Sequence, residues 1–280
     1  TLTRLKEFFP HLLPKVAGLK KSFGTGDRLG VATPAHILSF EGENFFPILA
    51  QQSVRENSRT ERDFKKVLED AIWGCFESGF EGTFGADADH VKRIEDLKEA
   101  ADCGYTMFTI DPSEFVRNDV FELSDDEKNT LYSFIPEREK LERFFLGKSY
   151  KIFKEKLQFN QNSLRDISIT YYGALQHVVK CYRFLKDYAG SSFDFEVSVD
   201  ETPLPTSFLA HLFIGEYLHT AGVDFQSLAL RFTGEWQKGI DYIGDVEKFG
   251  KELDQHAKIA KDVGGYKLSL HSGSDKFSVY

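Results

Sequence analysis

Cysteine is scarce in this chain. Cys75, Cys103 and Cys181 are too few and too widely spaced for a disulfide framework or a zinc knuckle, so a reducing cytoplasm is the expected compartment. Basic charge is short as well. Thirty-five Lys and Arg face 44 Asp and Glu, for a net charge of −9 and a pI near 5.5. This disfavours a nucleic-acid backbone or an anionic membrane as the main partner. No apolar run approaches the roughly 20 residues that span a bilayer, and the amino terminus has no signal-like apolar core. Low-complexity tracts, internal repeats and Pro/Ser-rich linkers are missing too, so one domain over residues 1–280 is the simplest organisation. Gly24, Gly26 and Gly30 precede a strand instead of joining one to a helix, which excludes a dinucleotide fingerprint.

What the chain does hold is an alternation of short apolar runs and amphipathic stretches. Leu29–Ala32, Phe46–Gln51, Phe80–Gly85, Tyr105–Ile110, Phe193–Val199, Ser227–Phe232 and Tyr266–Leu270 read as strands buried on both faces. Between them, Phe64, Val67, Leu68, Ala71, Ile72 and Cys75 form one helical stripe, and Tyr171, Leu175, Val178, Val179 and Tyr182 form another. Thr206 is placed to cap the helix carrying Phe208 to Tyr217, and Gly264-Gly265 to end the one carrying Val246 to Ile259. Such βαβ repetition predicts an α/β fold with a parallel sheet. Seven strands suggest a TIM-type (β/α)8 barrel whose eighth strand lies beyond Tyr280. An open doubly wound sheet is the alternative. Thr1 is not an initiator, which also suggests a piece of a longer protein. Residues 113–165 are too many for a single crossover and predict a helical insertion after the fourth strand, opened by the capping box Ser124–Glu127. It would serve as a solvated decoration, a lid or a homo-oligomer contact.

Ionisable residues gather where the predicted strands end. Asp87, Asp89 and His90 follow Phe80–Phe84, Asp200-Glu201 follows Phe193–Val199, Glu235 follows Leu228–Phe232, and His271 follows Tyr266–Leu270. In a parallel barrel that end is where catalysis is built. If the strand persists, Asp87 and Asp89 share a face and His90 points away, and Asp89 could instead cap the next helix. An imidazole beside carboxylates suits a divalent cation, and His90, Glu235 and His271 together would suit Zn, Mn, Co or Ni. Pro203 and Pro205 stiffen the loop bearing Glu201. Ser272, Ser274 and Lys276 lie in a Ser/Gly turn that could receive an anion, and Gln51 and Arg55 could hold a carboxylated sugar.

Four blocks, Gly26–Gly30, Ala50–Glu56, Gly85–His90 and His271–Lys276, together resemble the tagaturonate epimerase family. The resemblance implies a TIM-type barrel that interconverts the ketouronates D-tagaturonate and D-fructuronate with a divalent metal. It makes His90 and His271 metal ligands with Glu235 as the third, and Asp89 and Glu201 the acid/base pair. The inverted carbon of such a substrate lies two bonds from the ketone, so enolisation would invert the wrong centre. Retro-aldol cleavage, rotation of the aldehyde fragment and re-addition would invert the right one. A class II aldolase or ketose isomerase is the rival enzyme, and a non-catalytic sugar-acid-binding protein the rival of another class.

Overall fold

The computed structural model describes residues 2–190 and 192–280, and Thr1 and Ser191 lie outside that description. The first half of the chain runs α1 (Leu2–Phe8), β1 (Ser22–Gly24), α2 (Thr33–Ser39), β2 (Phe46–Ser53), α3 (Val54–Arg59), α4 (Phe64–Glu77), β3 (Gly85–Val91), α5 (Ile94–Cys103) and β4 (Met107–Ile110). Then come α6 (Asp125–Ser133), α7 (Arg138–Phe145), the hairpin strands β5 (Ser149–Ile152) and β6 (Glu155–Gln158), and α8 (Gln161–Ala189). The chain continues with β7 (Asp194–Val199), α9 (Phe208–Thr220), β8 (Ser227–Leu230), α10 (Val246–Val263) and β9 (Lys267–Ser269). Seven strands form one sheet in the order β1-β2-β3-β4-β7-β8-β9. The successive pairs from β1 to β4, β4 with β7, and β8 with β9 are parallel, as the βαβ alternation predicts.

Two compact units divide the chain, one made of Thr1–Asp111 with Cys181–Val197 and the other of Pro112–Lys180 with Ser198–Tyr280. In the first unit the sheet has two chemically different faces. Alternate residues Ala86, Ala88, Phe108, Ile110, Phe195 and Val197 are buried and apolar. The residues between them are Gly85, Asp87, Asp89, Met107, Thr109, Asp111, Asp194 and Glu196. The strands are buried on both faces, as read from the sequence, but one of those faces is polar. The floor of the polar face is an apolar plug of Ala17, Phe46, Ile48 and Met107. Gly85 makes room for it, since a Cβ there would meet the Ile48 and Phe46 side chains and the Lys15 carbonyl. Below the plug, buried Asp194 accepts the backbone N–H of Ala17 at 2.5 Å and that of Gly18 at 3.0 Å, which ties the entering chain to the start of β7.

Both predicted stripes are buried along α4 and α8, and Asp63 caps α4 through Lys66 N. Burial pushes the Cys75 thiol up to about 12, so it packs as an apolar group. Three expectations shift. Leu29–Ala32 is not a strand, because the Asp27 carboxylate accepts the N–H groups of Leu29, Gly30 and Ala32 that a ladder would need. Partial burial pushes Asp27 up, but those three bonds and Arg62 outweigh it and hold the carboxyl below its ordinary value. Phe80–Phe84 is a connection, and the strand begins at Gly85, five residues later than expected. Ser207, not Thr206, caps α9, while Thr206 exchanges two bonds with Arg231 at β8.

In the second unit, the capping box of Ser124 and Glu127 opens α6 as predicted. The 113–165 segment is not helical throughout, because β5 and β6 pair as an antiparallel hairpin. These elements pack on α9. Phe145 lies between the rings of Phe159 and Phe213, and Tyr217 donates to Glu137 Oε2 at 2.7 Å. Behind β9, His211 Nδ1 and His256 Nδ1 sit 2.9 Å apart and Tyr266 meets His211 Nε2 at 2.8 Å. Burial drives both imidazoles below their ordinary value, His256 to about 4, so they serve as neutral packing groups. Among the described residues no helix is long and apolar enough to cross a membrane.

The Asp194 latch is open to test. Asp194→Ala leaves two backbone N–H groups without their acceptor and should lower stability by about 3 kcal/mol, a size typical of bonds to a buried charge. Urea denaturation of the variant beside the wild type measures it, and a loss under about 0.5 kcal/mol would show that the latch is dispensable.

Candidate active site at the strand ends

Above the apolar plug, the polar face of the first unit carries a row made by neighbouring strands. Gln51 is the register partner of Asp87, and Thr109 of Glu196. Gln51 Nε2 donates to Asp87 Oδ2 at 3.1 Å, and Thr109 Oγ1 lies 3.0 Å from Asp87 Oδ1 and 3.4 Å from Glu196 Oε1. Gly24 creates the space for Gln51, because a Cβ there would collide with the Gln51 side-chain amide. Asp87 and Glu196 are both buried. Desolvation, helped by the charges of Asp89 and Glu196, pushes Asp87 up to about 8 against the opposing bonds from Gln51 and Thr109. Burial and the neighbouring carboxylates therefore favour the protonated form of Asp87. One Thr109 hydroxyl hydrogen cannot serve Asp87 and Glu196 together, and a protonated Asp87 removes that conflict.

One step further along the strands stand Ser53, Asp89 and Asp111. Ser53 pairs in register with Asp89 and closes a capping box with Glu56, so the Ala50–Glu56 block is partly a strand-to-helix joint. Arg55 projects outward from α3 as an exposed residue. The register between β3 and β4 slips between Ala88 and Val91, and His90 takes φ +51°. This is a β-bulge, a device that re-aims side chains beside active sites. It turns His90 so that Nδ1 meets Asp89 Oδ1 at 2.7 Å. An ionised Asp89 accepts there, which places a proton on His90 Nδ1. Helix α5 starts at Ile94 with Arg93 as its cap, so Asp89 is not the cap of that helix. Lys92 Nζ lies 3.3 Å from Asp111 Oδ2 at the next position.

In the second unit, His271 Nδ1 lies 3.3 Å from Asp200 Oδ2. Ser198 Oγ donates to the other Asp200 oxygen, which holds that carboxylate at the exit of β7. Glu201 is exposed in the loop that follows. Glu235 is exposed too, accepts from Gln237 Nε2 at 2.7 Å, and forms a backbone bridge with Ile243. Ser272 takes φ +54° directly after His271, and Ser274 donates to Asp275. Lys276, expected to face an anion, is fully buried and donates to the carbonyls of Gln237 and Ile240, both at 2.7 Å.

The expectations missed Glu196, Thr109 and Asp111 on the polar face, and noted Asp200 at a strand end without giving it a role. The signal for the first three is the polar/apolar alternation of Met107–Asp111 and Asp194–Val199, which sets every second side chain on the polar face.

A parallel α/β sheet with acids on its polar face and a histidine beside a carboxylate where a strand ends is the arrangement in which enzymes of this fold class place their chemistry. The tagaturonate epimerase family, UxaE, matches residues 1–280. The tagaturonate/fructuronate epimerase of Thermotoga maritima is 55% identical over 276 residues, covering 99% of this chain and 57% of that protein. Crystal structures of the fructuronate-tagaturonate epimerase UxaE from Cohnella laeviribosi are 41% identical. The native form has a TM-score of 0.93 over 99% of this chain, and a two-glycerol complex has 0.94 over 100%. The chain belongs to the tagaturonate epimerase family. It spans 57% of the length of these relatives.

Asp87 gives a pH signature. Its folded pKa of about 8 lies above the ordinary 3.8, so its contribution to stability is complete below about pH 4 and is lost as pH rises to about 8. In metal-free protein, wild-type stability should fall relative to Asp87→Asn across pH 5 to 8, by at most about 1.4 kcal/mol per pH unit. Urea midpoints at three pH values measure this, and parallel curves would mean that Asp87 is ionised throughout.

Proposed function

We propose that the protein to which this chain belongs interconverts D-tagaturonate and D-fructuronate with a divalent cation, within a TIM-type barrel of which this chain supplies seven strands. The observation that carries the metal is the donor set. Each unit sets one imidazole against a strand-end carboxylate, His90 with Asp89 in the first and His271 with Asp200 in the second. Two imidazoles and a carboxylate suit Zn, Mn, Co or Ni. Asp200 is preferred to Glu235 as the third ligand because it already meets His271, whereas Glu235 is exposed and engaged with Gln237. The layered polar face above an apolar plug supports the barrel, whose interiors are filled in layers. When bound, the cation would supply Lewis-acid polarisation of the substrate ketone.

The residues divide the remaining work. Asp89 and Glu201 form the acid/base pair. One takes the proton from the hydroxyl on the carbon to be inverted as the adjacent C–C bond breaks to give an aldehyde. The other returns a proton after the aldehyde has turned and the bond has re-formed on its opposite face. Asp89 orients His90 through Oδ1 as well. Gln51, fixed by Asp87, and Arg55, Ser272 and Ser274 contact the ketouronate. Lys276 braces the loop from Gln237 to Ile240 instead.

Metal-reconstituted full-length protein incubated with D-tagaturonate should yield D-fructuronate by chromatography. Chelation and His90→Ala should each cut the rate by at least about 100-fold, the size of losing a ligand or its orienting partner. Unchanged ketouronate with folded, metal-loaded protein would overturn the activity. Efficient solvent deuterium uptake at the inverted carbon would overturn the retro-aldol route alone.

A further inference from the structure

We infer that Arg231, at the exit of β8, is the residue that binds the substrate carboxylate and so selects ketouronates over neutral ketoses. This rests on the proposed activity and deepens it. The placement follows from packing within the second unit. Leu230 and Phe232, which flank Arg231 in sequence, are both buried, and the Phe232 ring packs on Phe249 and His256 of α10. Side chains alternate along an extended chain, so Arg231 leaves on the opposite face, the one shared with Ser227 and Ala229. The β8–β9 register pairs Ser227 with Lys267 and Ala229 with Ser269. Carried two residues further, the same register sets Arg231 beside His271 where the strands end. Thr206 fixes the backbone there, donating its N–H to Arg231 O at 2.8 Å and receiving Arg231 N–H on Oγ1 at 3.1 Å.

An open fork separates Arg231 from the other sheltered arginines. Arg62 is bonded to Asp70 and the Asp27 carbonyl, and Arg165 to Asp125, Asn129 and Asp166. Arg231 is partly buried as well, yet among the described residues none accepts a hydrogen bond from its guanidinium. Guanidinium donors drawn partly out of water cost free energy until an acceptor meets them. A carboxylate meets two of them in parallel, which a planar guanidinium allows and an ammonium does not. Lys276 and Arg55 fit the task less well, because Lys276 is buried against two carbonyls and Arg55 projects outward on α3. The chemistry needs such an anchor. When the C–C bond breaks, the aldehyde fragment keeps the carboxylate, and a cation that holds that end retains the fragment while its carbonyl turns.

Arg231→Met in the metal-reconstituted full-length enzyme should raise KM for D-tagaturonate roughly 10- to 100-fold, as expected for losing a charge-assisted bond. Its kcat should stay within about threefold, because the carboxylate is held alike in the ground and transition states. The inhibition constant of the matching ketohexose, which bears a hydroxymethyl group in place of the carboxylate, should not move. The variant should melt like the wild type, since no protein acceptor loses its donor. An unchanged KM, or an equal rise in the ketohexose inhibition constant, overturns the inference and leaves the activity standing. A variant that fails to fold would mark Arg231 as structural and overturns the inference as well. Absence of wild-type turnover overturns both the inference and the activity.

Discussion

A carboxyl group on the inner face of a β-sheet has no water to solvate it, and an ionised one costs several kcal/mol unless it is paired, bonded or neutralised. Asp87 meets this condition by remaining protonated and by taking bonds from Gln51 and Thr109. The requirement propagates across strands. Thr109 must be small and hydroxylated to reach both Asp87 and Glu196, Gln51 needs the space left by Gly24, and Gly85 must lack a side chain so that Phe46 and Ile48 can fill the floor. Because one face is given to polar groups, the opposite face has to carry the apolar burial of these strands. Ala86, Ala88, Phe108, Ile110 and Phe195 are accordingly almost wholly buried. The small residues on β3 also let α5 and α3 approach closely.

The second constraint is local strain. A histidine at φ +51° costs on the order of 1 kcal/mol or more against an extended conformation. The ladder on either side fixes it, with Asp87 opposite Met107 before the bulge and Val91 opposite Ile110 after it. A regular strand would place His90 among the apolar side chains of the outer face, where an imidazole has no partner. The bulge brings it to Asp89 instead. Ser272, also at positive φ, follows His271 in the same way, so both candidate ligand histidines adjoin or occupy a left-handed residue at a strand end.

Much of this was legible in the sequence, and the rest was hidden for identifiable reasons. Helices α4 and α8 follow from their apolar period, α6 from its capping box, and the end of α10 from Gly264-Gly265. Strand starts were less legible. Phe80–Phe84 is as apolar as a strand, yet the ladder begins at Gly85 because pairing with Ile48 starts there. Leu29–Ala32 failed because one side chain, Asp27, captured three backbone donors, which composition does not register. The hairpin of β5 and β6 was concealed by a Lys/Glu-rich composition that also suits helix. In the site, Asp89, His90 and His271 stood out because they follow apolar runs, whereas Glu196 and Thr109 sit inside such runs and were read as core. Asp-Phe-Glu-Val-Ser-Val is a clear period of two, and it distinguishes a sheet with a polar face from one that is apolar on both.

The acids of this chain then fall into two populations with different capacities. Asp87, Asp111, Asp194 and Glu196 are on or just beyond strands and are buried, so their positions are set by ladder geometry to within a rotamer. Glu201 and Glu235 are exposed loop residues, and their positions depend on what the loop does. Chemistry that must distinguish two faces of one carbon needs at least one group whose place does not move. Asp89 and Asp200 occupy the boundary between the populations. Each is partly exposed at a strand end and in contact with a histidine, Asp89 with His90 and Asp200 with His271. A strand-end carboxylate of this kind inherits its position from the sheet while remaining open enough to exchange a proton. The loop acids lack the first property and the buried row lacks the second.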